Sequence, residues 1–162
     1  MRKKTGFTVV EVPVGVLLVL LLLAIVVPKI SQSRIAASEA YAVSAMRTIN
    51  NAERMFAATY PSAGYSATLS ALGGTNCETP TPASACLVDS SISEASEPAH
   101  PLAGYFFTYK LTSSSMNTVG YTLRATPVKR GVTGVKNYYS DTTTVIRYSA
   151  GAPASRADPE IQ

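Results

Sequence analysis

Histidine and cysteine are scarce in this 162-residue chain, and that scarcity limits its chemistry. A catalytic site needs a nucleophile beside a base, a carboxylate pair or a set of metal ligands. His100 is the single histidine, and we interpret it as an exposed residue in a predicted loop. The two cysteines lack C-x-x-C spacing, which argues against zinc. Gly73-Gly74 is not followed by the Lys and Ser or Thr of a phosphate-binding loop. We therefore predict no enzyme, no cofactor and no metal.

An excess of one charge is also missing from most of the chain. The formal net charge of +4 comes from 14 basic and 10 acidic residues. Arg2, Lys3 and Lys4 are three of the basic ones, which leaves eleven (14 − 3) against ten elsewhere. Nucleic-acid binding requires basic residues clustered on one face, so we predict no nucleic-acid partner. A basic cluster directly before an apolar run is typical of a cytoplasmic flank.

Residues 7–27 contain a single charge, that of Glu11. As a helix these 21 residues would extend about 31 Å, against about 30 Å for the hydrocarbon core of a bilayer. The sequence therefore predicts a spanning helix with an exported domain after it. The alternative is a secretory signal peptide cleaved near residues 36–40, although the apolar core of such a peptide has only about 7–15 residues.

Glu11 is the unusual residue of this apolar run. A carboxylate within such a helix costs about 2.5–3.5 kcal/mol on insertion scales, and it usually has a functional partner. The nearest conceivable cation is a new α-amine, created if the chain is cut just before Phe7. That cut would also remove the basic cluster at residues 2–4.

The run Gly6-Phe7-Thr8-Val9-Val10-Glu11, with its basic leader and Pro28, resembles the class III signal of type IV prepilins and type II secretion pseudopilins. The resemblance implies cleavage by a prepilin peptidase after Gly6 and N-methylation of Phe7. It also implies that Glu11 neutralises the terminal amine of a neighbouring subunit during assembly. The implied partners are further copies of this chain, the peptidase and the assembly machinery of the inner membrane.

Two prolines fall within the predicted helix. Pro28 matches the helix proline of the family. Pro13 lies where the family has an aliphatic residue, and it removes the backbone donor that would bond to Val9. We predict a break or kink of the helix at both prolines.

Beyond Pro28 the sequence stays compatible with a helix to about Tyr60. An apolar residue recurs every seven positions, which predicts one apolar face for packing on a sheet. The four residues are Ile35, Ala42, Ile49 and Phe56. An independent coiled coil is the alternative, but the stripe is interrupted and short.

Cys77 and Cys86 lie in a region rich in Ser, Thr, Pro, Ala and Gly that predicts a surface loop. In an exported domain such a pair predicts a disulfide, with two free thiols as the alternative. The same loop carries four acidic residues, which form either a solvated face or a weak calcium site: Glu78, Asp89, Glu94 and Glu97.

Residues rich in β-formers follow the loop. Strands are predicted at about residues 105–111, 121–128, 135–139 and 143–148, and the tail after them is expected to be loosely ordered. The resulting fold class is α+β, and the resemblance implies the type IV pilin fold. It has a long N-terminal helix, with an apolar transmembrane half and an amphipathic half, packed on a small antiparallel β-sheet.

The predicted organisation has six segments. They are a removed leader (1–6), a transmembrane or filament-core helix (7–28), its amphipathic half (29–61), a disulfide-containing loop (62–104), the sheet (105–149) and the tail (150–162). The predicted function is that of a pilin, a filament subunit held at the inner membrane as a precursor and found at the cell surface or in the periplasm after assembly. A type II secretion pseudopilin is the closest alternative, and a membrane-anchored periplasmic binding domain is the next.

Overall fold

The structure is a computed structural model that describes residues 11–74, 77–113 and 119–161. The chain divides into two compact units, Met1–Arg34 and Ile35–Gln162. Helix α1 runs from Glu11 to Thr59, and two one-turn helices follow, α2 at Leu69–Leu72 and α3 at Ser90–Ser93. Four strands come last: β1 Tyr105–Ser113, β2 Val119–Pro127, β3 Asn137–Asp141 and β4 Arg147–Ser149.

The predicted fold class is wrong in the transmembrane half that it assigns to the long helix. Within the described ranges, no helix is both long and apolar enough to cross a membrane.

The predicted antiparallel sheet is present. Its strands follow the order β1-β2-β3-β4, and each pairs antiparallel with the next one along the chain. Phe107 lies opposite Ala125, and Tyr109 lies opposite Leu123. These residues share one face of the sheet, because side chains alternate between faces along a strand.

The core of the second unit lies between this face and α1. From the helix, Met46, Ile49 and Phe56 are almost completely buried against Phe107 and Leu123 of the sheet. Their spacings of three and seven residues place them on one side of the helix. Burying one such side chain contributes about 1.5–3 kcal/mol, so this stripe fixes α1 against the sheet.

The last strand is shorter than the sequence predicts. β3 ends at Asp141, whose carboxylate accepts hydrogen bonds from the backbone N (2.9 Å) and Oγ1 (2.6 Å) of Thr143. Burial alone would raise the pKa of Asp141, but the hydrogen bonds from Thr143 and the nearby Arg156 guanidinium outweigh it and lower the pKa. This turn takes residues 142–146 out of the ladder, so β4 begins only at Arg147.

The tail after β4 is more ordered than predicted. The backbone N of Tyr148 donates to the Pro159 carbonyl (3.0 Å), and that of Ile161 donates to the Ile146 carbonyl (2.9 Å). Arg147 binds Glu160 at 2.7 Å, and Ala154 is buried. The prediction of a loosely ordered tail is therefore wrong, since its end lies alongside β4.

Candidate assembly surface

The exposed apolar surface of α1 is the feature that suggests a function. In residues 12–22, every large hydrophobic side chain is between 52% and 67% exposed. Seven consecutive residues, 16–22, cover almost two helical turns, so apolar side chains lie on all sides of the helix. A helix that is apolar all round is normally buried, and contiguous exposed apolar surface marks an interaction site. We call these residues the apolar segment of α1: Val12, Val14, Val16, Leu17, Leu18, Val19, Leu20, Leu21 and Leu22.

The residues of the cleavage signal precede this segment in the sequence. Gly6 and Phe7 fall outside the described residues. Glu11 is the first described residue of α1, and its side chain is outside the description. Cleavage, methylation and charge pairing therefore stay predictions.

The two prolines do not interrupt α1. Both Pro13 and Pro28 lie within the single helix from Glu11 to Thr59. A bend at either proline stays a prediction.

The predicted disulfide between Cys77 and Cys86 is confirmed. The backbone beside it is anchored to the α2 region, since Ala85 N donates to Ala71 O (2.9 Å) and Leu87 N to Leu72 O (2.7 Å). Leu72 is buried in the core. The loop is thus attached to the second unit at its base.

Removing the disulfide should lower stability. A loop of this length contributes about 2.5–3 kcal/mol by restricting the unfolded chain. We expect the double substitution Cys77→Ser and Cys86→Ser to lower the free energy of unfolding by that amount, measured by urea titration. Reduction of the unaltered protein should give the same midpoint as the double variant. An unchanged midpoint in both would contradict the prediction.

The acidic residues of the loop do not converge. Among the residues that the structure describes, no group of three or more His, Cys, Asp or Glu could hold a metal ion. Asp89 is the N-cap of α3 and accepts a hydrogen bond from Ser91 N at 2.9 Å. That backbone hydrogen bond lowers the pKa of Asp89. His100 is exposed, as expected.

A buried polar network between α1 and the sheet was not anticipated from the sequence. Glu53 is fully buried and accepts hydrogen bonds from both the backbone N (3.1 Å) and the hydroxyl of Ser66. The Ser66 carbonyl in turn accepts from the Tyr109 hydroxyl at 2.9 Å. Burial raises the pKa of the Tyr109 phenol, so it stays protonated and donates.

A second part of the network is centred on Asn50. Its amide oxygen accepts from the Tyr121 hydroxyl (3.0 Å), and its amide nitrogen donates to Ser140 Oγ (2.8 Å) and to the Thr144 carbonyl (3.3 Å). All these groups have partners, which is the arrangement that stabilises and specifies a buried polar site. The network thus holds the helix to β2, β3 and the following turn.

A surface groove of about 770 Å³ lies in the second unit, beside the C-terminal tail. Its wall includes Glu39, Lys136 and Tyr148. The Glu39 carboxylate accepts from the backbone N of Val135 (2.9 Å) and of Lys136 (3.2 Å), and the Lys136 ammonium lies over the Tyr148 ring. Glu39 and Lys136 are therefore engaged in structural contacts.

Comparison with known proteins does not assign this chain to a family. No protein-family model, curated protein or solved structure matches this chain, so a functional argument has to start from its own residues.

Proposed function

We propose that this chain is the structural subunit of a type IV pilus-like filament, cleaved after Gly6, methylated at Phe7 and assembled through its N-terminal helix. The observation that carries the proposal is the apolar segment of α1, which begins five residues after Phe7. A subunit with this signal needs a surface that copies of itself can bury, and the apolar segment supplies one.

Energetics favour burial of the apolar segment. Fully burying one Val or Leu side chain contributes about 1.5–3 kcal/mol, and the segment has nine of them. Even partial burial against another subunit would offset the several kcal/mol that association costs. When one surface of a subunit contacts a different surface of the next and the rotation does not close, the result is an open helical filament.

Glu11 has the role of a register residue in this proposal. A buried carboxylate or ammonium without a partner is costly, whereas a matched pair is tolerated in one geometry only. The α-amine of a processed Phe7 in the neighbouring subunit is the proposed partner. Pairing at one position would set the axial offset between subunits, while the apolar side chains supply most of the free energy.

In the same proposal, the assembled filament lies in the periplasm or at the cell surface. The disulfide supports export, because structural disulfides persist in oxidising compartments. A precursor at the inner membrane has support only from the sequence of residues 7–27, since the described residues include no spanning helix.

Mass spectrometry of the protein isolated from its native cells tests the proposal. We expect a chain that begins with N-methylated Phe7. The matched variant Glu11→Ala should be cleaved in the same way but form few or no filaments in electron micrographs. An intact Met1 end would instead favour a membrane-anchored domain, and normal filament yield from Glu11→Ala would contradict the register role.

A further inference from the structure

The basic residues of the sheet and of its connecting segments form two groups. Three of them form ion pairs with acidic residues, namely Lys136, Arg147 and Arg156. Four are exposed and form no ion pair with any residue that the structure describes: Lys110, Arg124, Lys129 and Arg130. No Asp or Glu occurs between Glu97 and Asp141 in the sequence. The four unpaired cations therefore belong to a stretch of the chain without acidic residues.

Lys110 and Arg124 lie on the same face of the sheet. Both strand neighbours of Arg124 are completely buried in the core, so Arg124 points to the opposite, outer face. Across the ladder, Arg124 lies opposite Thr108, and Lys110 lies opposite Thr122. This register makes the two cations diagonal neighbours, with about 7–8 Å between their positions. Two like charges this close, on strands without acidic residues, attract an anion.

Threonine hydroxyls flank the two cations. Every second residue of a strand shares a face, which places four threonines on the outer face with them. They are Thr108 and Thr112 in β1, and Thr122 and Thr126 in β2. In the described part of the chain none of these four side chains makes a hydrogen bond, unlike that of Thr143, which bonds to Asp141. We call the four threonines together with Lys110 and Arg124 the basic face.

The basic face is open to solvent at β1 and β2. Lys110, Thr112 and Arg124 are exposed. The next strand contributes Tyr139 and Asp141 to the same side of the sheet, and both are buried. The guanidinium of Arg124 lies 5.8 Å from the centre of the Tyr139 ring, and the carboxylate of Asp141 already has a partner. A ligand on this face would therefore meet the cations and hydroxyls of β1 and β2.

We propose that the basic face binds an anionic polysaccharide, a polymer in which carboxylates recur at a constant spacing among hydroxyl groups. The ammonium of Lys110 and the guanidinium of Arg124 would donate charge-assisted hydrogen bonds to the carboxylates. The threonine hydroxyls, which can both donate and accept, would bond to the sugar hydroxyls between them. Lys129 and Arg130, exposed directly after β2, would extend the contact along the polymer.

Nucleic acids fit this face less well than a sugar polymer. Single strands bind by stacking their bases on exposed aromatic rings, but Tyr139 is buried and Phe106 is only half-exposed. Duplex DNA is read by a helix or a two-stranded ribbon that enters the major groove. Here the two cations lie on a four-stranded sheet, which is too wide for that groove.

The acidic loop of a second copy of this chain is another anionic partner. It would match the charge of the basic face, because four acidic residues and no Lys or Arg occur between Arg54 and Lys110. Those acidic residues do not converge, whereas the carboxylates of a polymer recur at one spacing. The polymer is therefore the better match, and self-association is an outcome that the test has to detect.

Binding of the full chain to an immobilised polyuronate tests the proposal. The chain is kept in an uncharged detergent because of its exposed apolar segment, and polygalacturonate is the probe. We expect saturable binding that weakens as salt is added, since salt screens charges at an exposed surface. Dextran, a neutral polysaccharide, is the matched polymer and should not bind.

Two pairs of substitutions separate the basic face from net charge. Lys110→Gln with Arg124→Gln should weaken binding at least about tenfold, because two charge-assisted contacts are lost. Arg47→Gln with Arg54→Gln removes the same charge from exposed positions of α1 and should bind like the parent. All four positions are exposed, so both variants should unfold at the midpoint of the parent. If the first variant does not fold, Lys110→Gln alone should still weaken binding about threefold.

A third pair separates the hydroxyls from the charges. Thr108→Val with Thr122→Val keeps both β-branched shapes and should weaken binding to polygalacturonate about threefold or more. The dependence on salt should stay that of the parent, because no charge is lost. An affinity equal to that of the parent would overturn the recognition of a sugar polymer and leave only attraction between charges.

Four further results would overturn the proposal. They are absence of binding to polygalacturonate, equal losses in the two Gln variants, tighter binding to DNA at the same salt concentration, and self-association of the parent that the Lys110 and Arg124 variant loses. The last result would assign the basic face to a second copy. The measurement needs no filament, so its outcome is independent of the proposed function.

Discussion

Aspartate introduced at both Leu17 and Leu21 is expected to abolish filament assembly while the second unit stays folded. Both leucines belong to the apolar segment of α1, and they are 67% and 62% exposed. If another subunit buries this surface, two carboxylates without partners would be buried with it, at a cost of several kcal/mol each. The loss of filaments should be complete by electron microscopy and by sedimentation.

The controls separate assembly from folding. Leu111 in β1 is also an exposed leucine, at 42%, but lies in the second unit. Leu111→Asp should therefore leave filament yield close to that of the unaltered protein. The thermal unfolding midpoint of the double variant should match that of the parent, because residues 17 and 21 belong to the first unit. Abundant filaments from the double variant would refute the assembly role of the segment.

Truncating the Glu53 side chain is expected to have the largest effect on stability. The variant Glu53→Ala removes the acceptor for two hydrogen bonds from Ser66 and leaves a cavity beside the core. An unsatisfied buried donor costs about 1–3 kcal/mol, and the cavity adds to this. We expect the free energy of unfolding to fall by about 3 kcal/mol or more in urea titrations, a large part of the stability of a typical domain.

Two further variants define the origin of that loss. Glu53→Gln keeps the shape and one carbonyl acceptor, so it should lose about 1 kcal/mol, the value of an ordinary buried hydrogen bond. Asn51→Ala, at an exposed position of the same helix, should change stability by less than about 0.5 kcal/mol. A Glu53→Ala midpoint equal to that of Asn51→Ala would show that the network does not stabilise the fold.

The sheet could be predicted from the sequence because its signal is local. Alternation around Tyr121 and Leu123 reflects one buried and one less buried face, and β2 covers both residues. The disulfide could also be predicted, since the chain has only two cysteines, close in sequence. Such patterns need no knowledge of distant contacts.

The polar network could not be derived in the same way, although part of its signal was visible. Glu53 lies four residues after Ile49 and three before Phe56, so it falls on the buried stripe of α1. A charge on an apolar face indicates a buried partner, but the partner is Ser66, in the loop beyond the helix. Its identity depends on how that loop returns to the helix.

The order of the tail could not be predicted, because its composition gives no sign of the contacts that it makes. Residues 150–162 are rich in Pro, Ala and charge, which favours disorder. Their order comes from Arg147, which binds Glu160 and also donates to the Asp158 carbonyl at 2.9 Å.

The polar network has a mechanical consequence. Side chains link α1 to the sheet, through the packed stripe and through hydrogen bonds such as Asn50 to Ser140 and Tyr121 to Asn50. Tension applied along α1 would therefore load these side-chain links before it loaded the nine-residue backbone ladder between β1 and β2. Directional hydrogen bonds resist sliding, whereas apolar contacts can slip from one residue to the next. Asn50 and Glu53 would then be the residues that resist sliding of α1 along the sheet.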